Sequence, residues 1–299
     1  MRILVVGLLS RPSGKTLVAA AVARRLAELG HSVAPFKPIS VHDWYRDYDT
    51  SLQNVEEGLA FSGDVAALIE AAGANLPYEV ANPVHGVTFP PSPLMLRHKM
   101  IARYHLYLED PAASTALLRL TLRGRVEMNV YAVNRALLDG GLLYHDPDYV
   151  SRVLASAHVL IDVYSSKQMA RALQLYAPAS IGSCYSYVKR RSDAVVVEGF
   201  RDLAAPSGHV LDADVVLAVA PGTVMAFDGR SYAKAVSLYS GVKGALDVRV
   251  QDVLELLTPL KAFSLPPMPA SDASDPSKVA TRLEPLLSFI ERAARGGGA

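Results

Sequence analysis

Cysteine is nearly absent from this chain, with one residue, Cys184, among 299. A single thiol cannot close an intrachain disulfide, and no Cys/His pairs stand at ligand spacing, which argues against structural zinc. Cys184 is expected to be a small core residue in a reducing, cytoplasmic setting. Charge of one sign is lacking too: 30 Lys and Arg stand against 29 Asp and Glu, a net of +1. Nothing therefore points to nucleic acid or an anionic membrane as the main partner. Long hydrophobic runs are missing, and the opening apolar stretch breaks at Ser10-Arg11, too early for a signal h-region or a membrane span. There is no internal repeat, no Ser-His-Asp arrangement that can be argued, and no carboxylate pair announcing glycosidase chemistry.

What is present is ordinary for a packed globular protein: 51% hydrophobic and 20% charged residues, which excludes a disordered chain. Ile3-Leu4-Val5-Val6 predicts a parallel strand covered on both faces. Leu17–Leu29 has helical spacing and stops at Gly30, and Ser32–Phe36 predicts a second strand. Further strands are expected at His158–Val163, Ala194–Val197 and Val215–Val219, with helices at 64–72, 147–155 and 278–294. Five prolines make 77–94 mostly loop. From Pro93 to about Leu143 the pattern reads as helices. The expectation is a single α/β domain over residues 1–299, with a mostly parallel sheet and a largely helical insertion at about 95–157. Ligands of such sheets sit beyond the carboxyl ends of the strands.

The segment Gly7-Leu8-Leu9-Ser10-Arg11-Pro12-Ser13-Gly14-Lys15-Thr16 follows a strand and opens a helix. Amide groups at such a turn, aided by the positive helix end, bind phosphate oxygens. Lys15 is expected to bridge terminal phosphates and the Thr16 hydroxyl to hold Mg²⁺, with Ser10, Arg11, Ser13, Gly14 and Leu17 completing the nucleotide-binding loop. The usual spacing places a glycine where Leu9 stands, and Gly7 lies two residues earlier. A metal-side carboxylate is needed at a neighbouring strand end. Glu198, before Gly199, and Asp162 both fit, and Asp64 is a third candidate on a loop at the same rim.

With these residues in view, the chain resembles the dethiobiotin synthetase group of P-loop proteins, which includes the ATPase domains of cobyrinic and cobyric acid synthases. The resemblance is carried by the long loop ending Gly14-Lys15-Thr16 and by Phe36-Lys37-Pro38-Ile39. Gly63-Asp64-Val65, then Ala81-Asn82-Pro83 and Ser92-Pro93, and finally Val195-Val196-Val197-Glu198-Gly199 complete it. It implies a three-layer P-loop NTPase fold and Mg²⁺ surrounded by Thr16, Asp64 and Glu198. It also implies Lys37 on the substrate side beside the catalytic Lys15, and a homodimer. Phe200-Arg201-Asp202 and Leu94 depart from the group's small residues and histidine, so dethiobiotin synthesis itself is not expected. Val197-Glu198-Gly199-Phe200-Arg201 also resembles the GTP-binding protein of molybdopterin guanine dinucleotide synthesis. No Asn-Lys-x-Asp guanine motif occurs, which favours ATP. The expectation is an ATP-dependent ligase or kinase acting on a small anionic substrate, a carboxylate or carbamate. The alternative is a nucleotide-hydrolysing switch or assembly factor.

Three other features stand out. Arg97, His98, Lys99, Arg103 and His105 form a basic cluster that is either an anion entrance or a solvated helix face. His42–Tyr48 is a candidate lid or a set of packed surface aromatics. Asp214–Gly222 lies where the resembled group places residues that flank the base, and it offers few side-chain donors.

Overall fold

The computed structural model describes residues 1–10, 13–243 and 247–296. Eleven strands lie in the described residues: β1 (Arg2–Gly7), β2 (Val33–Phe36), β3 (Ile39–Asp43), β4 (Val84–Thr88), β5 (Thr115–Arg123), β6 (Glu127–Asn134), β7 (Val159–Val163), β8 (Ala194–Glu198), β9 (Val215–Ala220), β10 (Gly222–Asp228) and β11 (Lys261–Leu265). They form an α/β protein with two mixed sheets, ordered β11-β10-β9-β1-β8-β2 and β3-β4-β5-β6-β7. The chain divides into two compact units. One comprises Met1–Pro38, Asp64–Leu76 and Tyr185–Ala299, the other Ile39–Gly63 and Pro77–Cys184. This differs from the single domain expected over residues 1–299.

In the first unit, β9, β1, β8 and β2 run parallel, and β10 and β11 extend the sheet as an antiparallel edge. Ile3 to Val6 are all fully buried, as a strand covered on both faces requires. One face, carrying Ile3, Val5, Val196 and Leu217, forms a core with Val18, Val22 and Leu26 of the helix Lys15–Glu28 and Leu283, Leu287 and Ile290 of the helix Pro276–Ala294. Each fully buried aliphatic side chain there contributes about 1.5–3 kcal/mol.

In the second unit the expected helical insertion is corrected. Residues 115–134 hold the antiparallel pair β5–β6, with Leu118 opposite Ala132 and Leu120 opposite Val130, although the short helices Leu94–Arg97, Ile101–Glu109 and Pro111–Ser114 precede it. The stretch 77–94 likewise contains β4. The reason lies on one face of β5. Arg119 is fully buried, and its guanidinium donates to the carbonyls of Ala60 (2.7 Å) and Asn82 (2.6 Å) and to the Thr121 hydroxyl. Arg119 and Thr121 thus follow the strand period of two, and their polar atoms are satisfied internally.

Candidate functional site

Within the first unit, β1, β2 and β8 are adjacent parallel strands whose carboxyl ends lie together, because Val5 pairs with Glu198 and Phe36 with Val197. The loop after β1 leads into the helix Lys15–Glu28 through Gly14, whose φ of 87° is left-handed, a conformation that glycine adopts without steric cost. Gly14 is the N-cap, and among the described residues no side chain caps the helix, which leaves first-turn amides of the kind a ligand can engage. Lys15 is buried, and its ammonium reaches the hydroxyl of buried Ser13 at 3.4 Å. A Cβ on Gly7 would stand 2.7 Å from both Lys15 Nζ and Ser13 Oγ. Gly7 therefore makes the close approach possible, although it stands two residues earlier than the usual loop glycine. Ser10 is exposed and Leu17 half-buried, while Arg11 lies outside the described residues.

Thr16 donates its hydroxyl toward Glu198 Oε1 (2.9 Å) and Asp64 Oδ1 (3.3 Å). Glu198 is the last residue of β8, and Asp64 stands in the first turn of the helix Gly63–Ala72. Lys37, directly after β2, places Nζ 2.5 Å from Asp64 Oδ2 and 2.8 Å from Glu198 Oε1. The structure thus brings together Lys15, Thr16, Lys37, Asp64 and Glu198. Gly199 lets β8 leave close to β1: its amide donates to Val5 O at 2.8 Å, and a Cβ would sit 3.1 Å from that oxygen. Its role is thus backbone packing.

Burial shapes the charges. It lowers the Lys15 pKa, with the Lys37 ammonium acting in the same direction and the Glu198 and Asp64 carboxylates against it. Burial alone would also lower Lys37, but Glu198 and Asp64 outweigh it and raise the group above its ordinary value. For Asp64, burial is outweighed by Lys37 and the Thr16 hydroxyl, which hold its pKa down. Fully buried Glu198 is pushed up by desolvation, with Lys37 opposing. Its Oε2 is buried with no hydrogen-bond partner among the described residues. No group of three or more His, Cys, Asp or Glu in those residues is placed to hold a metal ion. Two carboxylates and one hydroxyl suit a hard cation that completes its oxygen shell from phosphate and water.

Family models, curated proteins and solved structures were compared with the chain, and none matches it.

Beside the loop, a cavity of about 300 Å³ is lined by Ser13, Leu17, Pro221, Gly222, Leu265 and Pro266, among others. Residues 220–222 fall in the Asp214–Gly222 stretch that was singled out in the sequence. The wall from Leu265 onward was not, since it lies in a Pro/Ser-rich connection whose only local signal is its break in periodicity.

Asp162 is not part of this cluster. It lies on β7 in the other unit and pairs with Arg135 at 2.8 Å, so Glu198 is the strand-end carboxylate beside Thr16. Arg97, His98, Lys99, Arg103 and His105 are all exposed, as a solvated face would be. Within His42–Tyr48, His42 and Trp44 are buried and residues 45–48 are exposed. His42 is a buried residue of β3, its Nδ1 2.7 Å from His85 Nε2, and Trp44 packs among Phe89, Tyr144 and Tyr149. Asn82 accepts at Oδ1 from the Ser40 hydroxyl (2.8 Å) and Ser62 N (3.3 Å), a structural role in the second unit. Cys184 is buried, and desolvation pushes its thiol up to about 12. Among the described residues no helix is long and apolar enough to cross a membrane.

Proposed function

We propose that the chain is a P-loop protein that binds Mg-ATP and transfers the γ-phosphoryl group to a small anionic substrate, a carboxylate or carbamate. The observation that carries this reading is the convergence of Lys15, Thr16, Lys37, Asp64 and Glu198 at the carboxyl ends of β1, β2 and β8. The triphosphate would lie against the first-turn amides behind Gly14, with Lys15 at its terminal oxygens. The base would enter the neighbouring cavity, whose walls are proline and aliphatic surface with no carboxylate among the lining residues. Such walls accept a flat ring without reading guanine's donors.

Thr16, Asp64 and Glu198 would hold Mg²⁺, and the unpartnered Glu198 Oε2 is the atom that gains most from it. When bound, the ion neutralises charge on the β- and γ-phosphates. A substrate carboxylate oxygen attacks the γ-phosphorus, the bond to the β,γ-bridging oxygen breaks, and ADP leaves with the electron pair. The product is a mixed anhydride, which a ligase passes to a nucleophile with release of phosphate. No proton moves in the transfer itself. Lys15 and Lys37 counter the negative charge that gathers on the transferred group, and the protein otherwise contributes positioning.

Calorimetry tests the reading. The wild type should bind Mg-ATP saturably, and Lys15→Ala should weaken it at least a hundredfold with the fold intact. Absence of heat and saturation with any Mg-nucleotide on folded protein would overturn it. Hydrolysis without a phosphoryl acceptor should be nearly silent.

A further inference from the structure

The oxygens that would hold a divalent cation already hold a cation belonging to the chain. Lys37 Nζ touches one oxygen of each carboxylate, at 2.5 Å from Asp64 and 2.8 Å from Glu198. Glu198 Oε1, which accepts that ammonium, also accepts the Thr16 hydroxyl. An ammonium and a divalent ion cannot share those same oxygens, because like charges a few ångströms apart in a buried site repel strongly. Lys37 and Glu198 are 5% and 1% exposed, so water does little to screen them. Without the ammonium, Glu198 would be a buried carboxylate that has lost its hydrogen-bonded counter-ion and keeps only the charge of Lys15 nearby, which is unfavourable.

We propose that Lys37 is a resident counter-ion that keeps Asp64 and Glu198 closed to a divalent cation until a polyphosphate draws its ammonium away. Metal and nucleotide then enter together, and metal does not enter first. The inference rests on the Mg-nucleotide reading above and adds an order of binding to it. Lysine suits the task, since a compact charge on a flexible four-carbon stem can swing between anions while the backbone stays fixed. Moving Nζ from the carboxylates to a terminal phosphate exchanges one anionic partner for another. It also frees an acceptor pair beside Thr16 at the moment the metal arrives with the phosphates. The same movement brings the second ammonium to the phosphates beside Lys15.

Mn²⁺ detected by electron paramagnetic resonance, without nucleotide, tests this on the full chain. Wild type and Lys37→Arg should bind Mn²⁺ weakly. Lys37→Met should bind one Mn²⁺ at least tenfold more tightly than wild type, and adding Glu198→Gln should abolish that gain. Unchanged or weaker affinity in Lys37→Met would overturn the proposal. So would tight binding of Mn²⁺ alone by wild type at a site lost on Glu198→Gln, a measurement that needs no Lys37 variant. Because Lys37→Met leaves two carboxylates without their ammonium, its thermal unfolding is followed with and without Mn²⁺. The metal should raise its midpoint more than that of wild type, and a variant that stays unfolded in Mn²⁺ counts against the exchange. None of these titrations contains nucleotide. Their failure therefore leaves Mg-ATP binding to its own calorimetry, and missing ATP heat in wild type would sink that reading whatever manganese does.

Discussion

At the scale of single residues, the absence of a side chain at Gly7 matters as much as the presence of one at Lys15. A methyl group there would meet Lys15 Nζ and Ser13 Oγ at 2.7 Å. Both are ends of side chains that can turn aside, so the backbone survives but the ammonium is displaced. Gly7→Ala is expected to lower Mg-ATP affinity at least tenfold in calorimetry while moving the thermal midpoint by only a few degrees; an equal loss of both would mean the loop itself had collapsed. His42 makes a different prediction. Burial pushes its pKa from 6.5 down to about 3, so in that interval the unfolded chain binds the extra proton. Its contribution to stability is therefore fully present above about pH 6.5 and is lost as pH falls toward 3, by at most ~1.4 kcal/mol per pH unit. Glu127 acts oppositely: burial and the neighbouring Glu79 push it up to about 7, so its contribution is full below about pH 4.5 and is lost as pH rises through 7. Urea midpoints measured from pH 7 to 4 should fall less steeply for His42→Gln than for wild type, the gap being clearest below pH 4.5. Parallel curves would refute the assignment.

At the scale of elements, glycine again separates two kinds of constraint. A Cβ on Gly229 would lie 1.8 Å from the carbonyl oxygen of Ala213, a backbone atom that cannot turn aside. Gly229→Ala should cost more than about 3 kcal/mol and be seen as a collapse of the denaturant midpoint. Gly30, with φ of 88° and nothing within 4 Å, faces conformational strain alone, so Gly30→Ala should cost about 1–2 kcal/mol. The Leu29–Gly30 stop was legible in sequence, and so were β1, β2, β8 and β9, because short continuous apolar runs bounded by turns suit strands covered on both faces. The placement of Lys15, Thr16 and Glu198 was legible for the same reason, since they follow or end such elements, whereas Asp64, in the first turn of a helix, was named from its loop and from the resemblance. The β5–β6 pair was not. Ala116, Leu117, Leu118 and Leu120 all favour helix, and the polar Arg119 and Thr121 betray a strand only once their buried partners Ala60, Asn82 and Asn129 are known. Ala60 and Asn82 come from segments 59 and 37 residues away, and no local window contains them. The β10 and β11 edge was missed as well, β10 being set by pairing with β9 and β11 by pairing with β10 rather than by their own periodicity.

At the scale of the whole molecule, the chain passes between its two units four times, at residues 38–39, 63–64, 76–77 and 184–185. The first unit is therefore not a continuous piece of sequence. A chain ended at residue 184 keeps β1 but loses β8 and β9, the strands on both of its sides. Such a fragment should show no saturable heat with Mg-ATP and no protected β1 amides by hydrogen exchange; retention of either would mean that β1 finds another partner. The spacing of the Thr16 contacts carries one more consequence. Its two carboxylate partners lie 48 and 182 residues further along. During synthesis the amino-terminal turn leaves the ribosome long before Glu198 is made, so for most of translation it can offer a phosphate amides and one ammonium but no completed set of oxygens. Under the proposed function, tight engagement of a metal-bound nucleotide would mark a chain that has been made at least as far as β8.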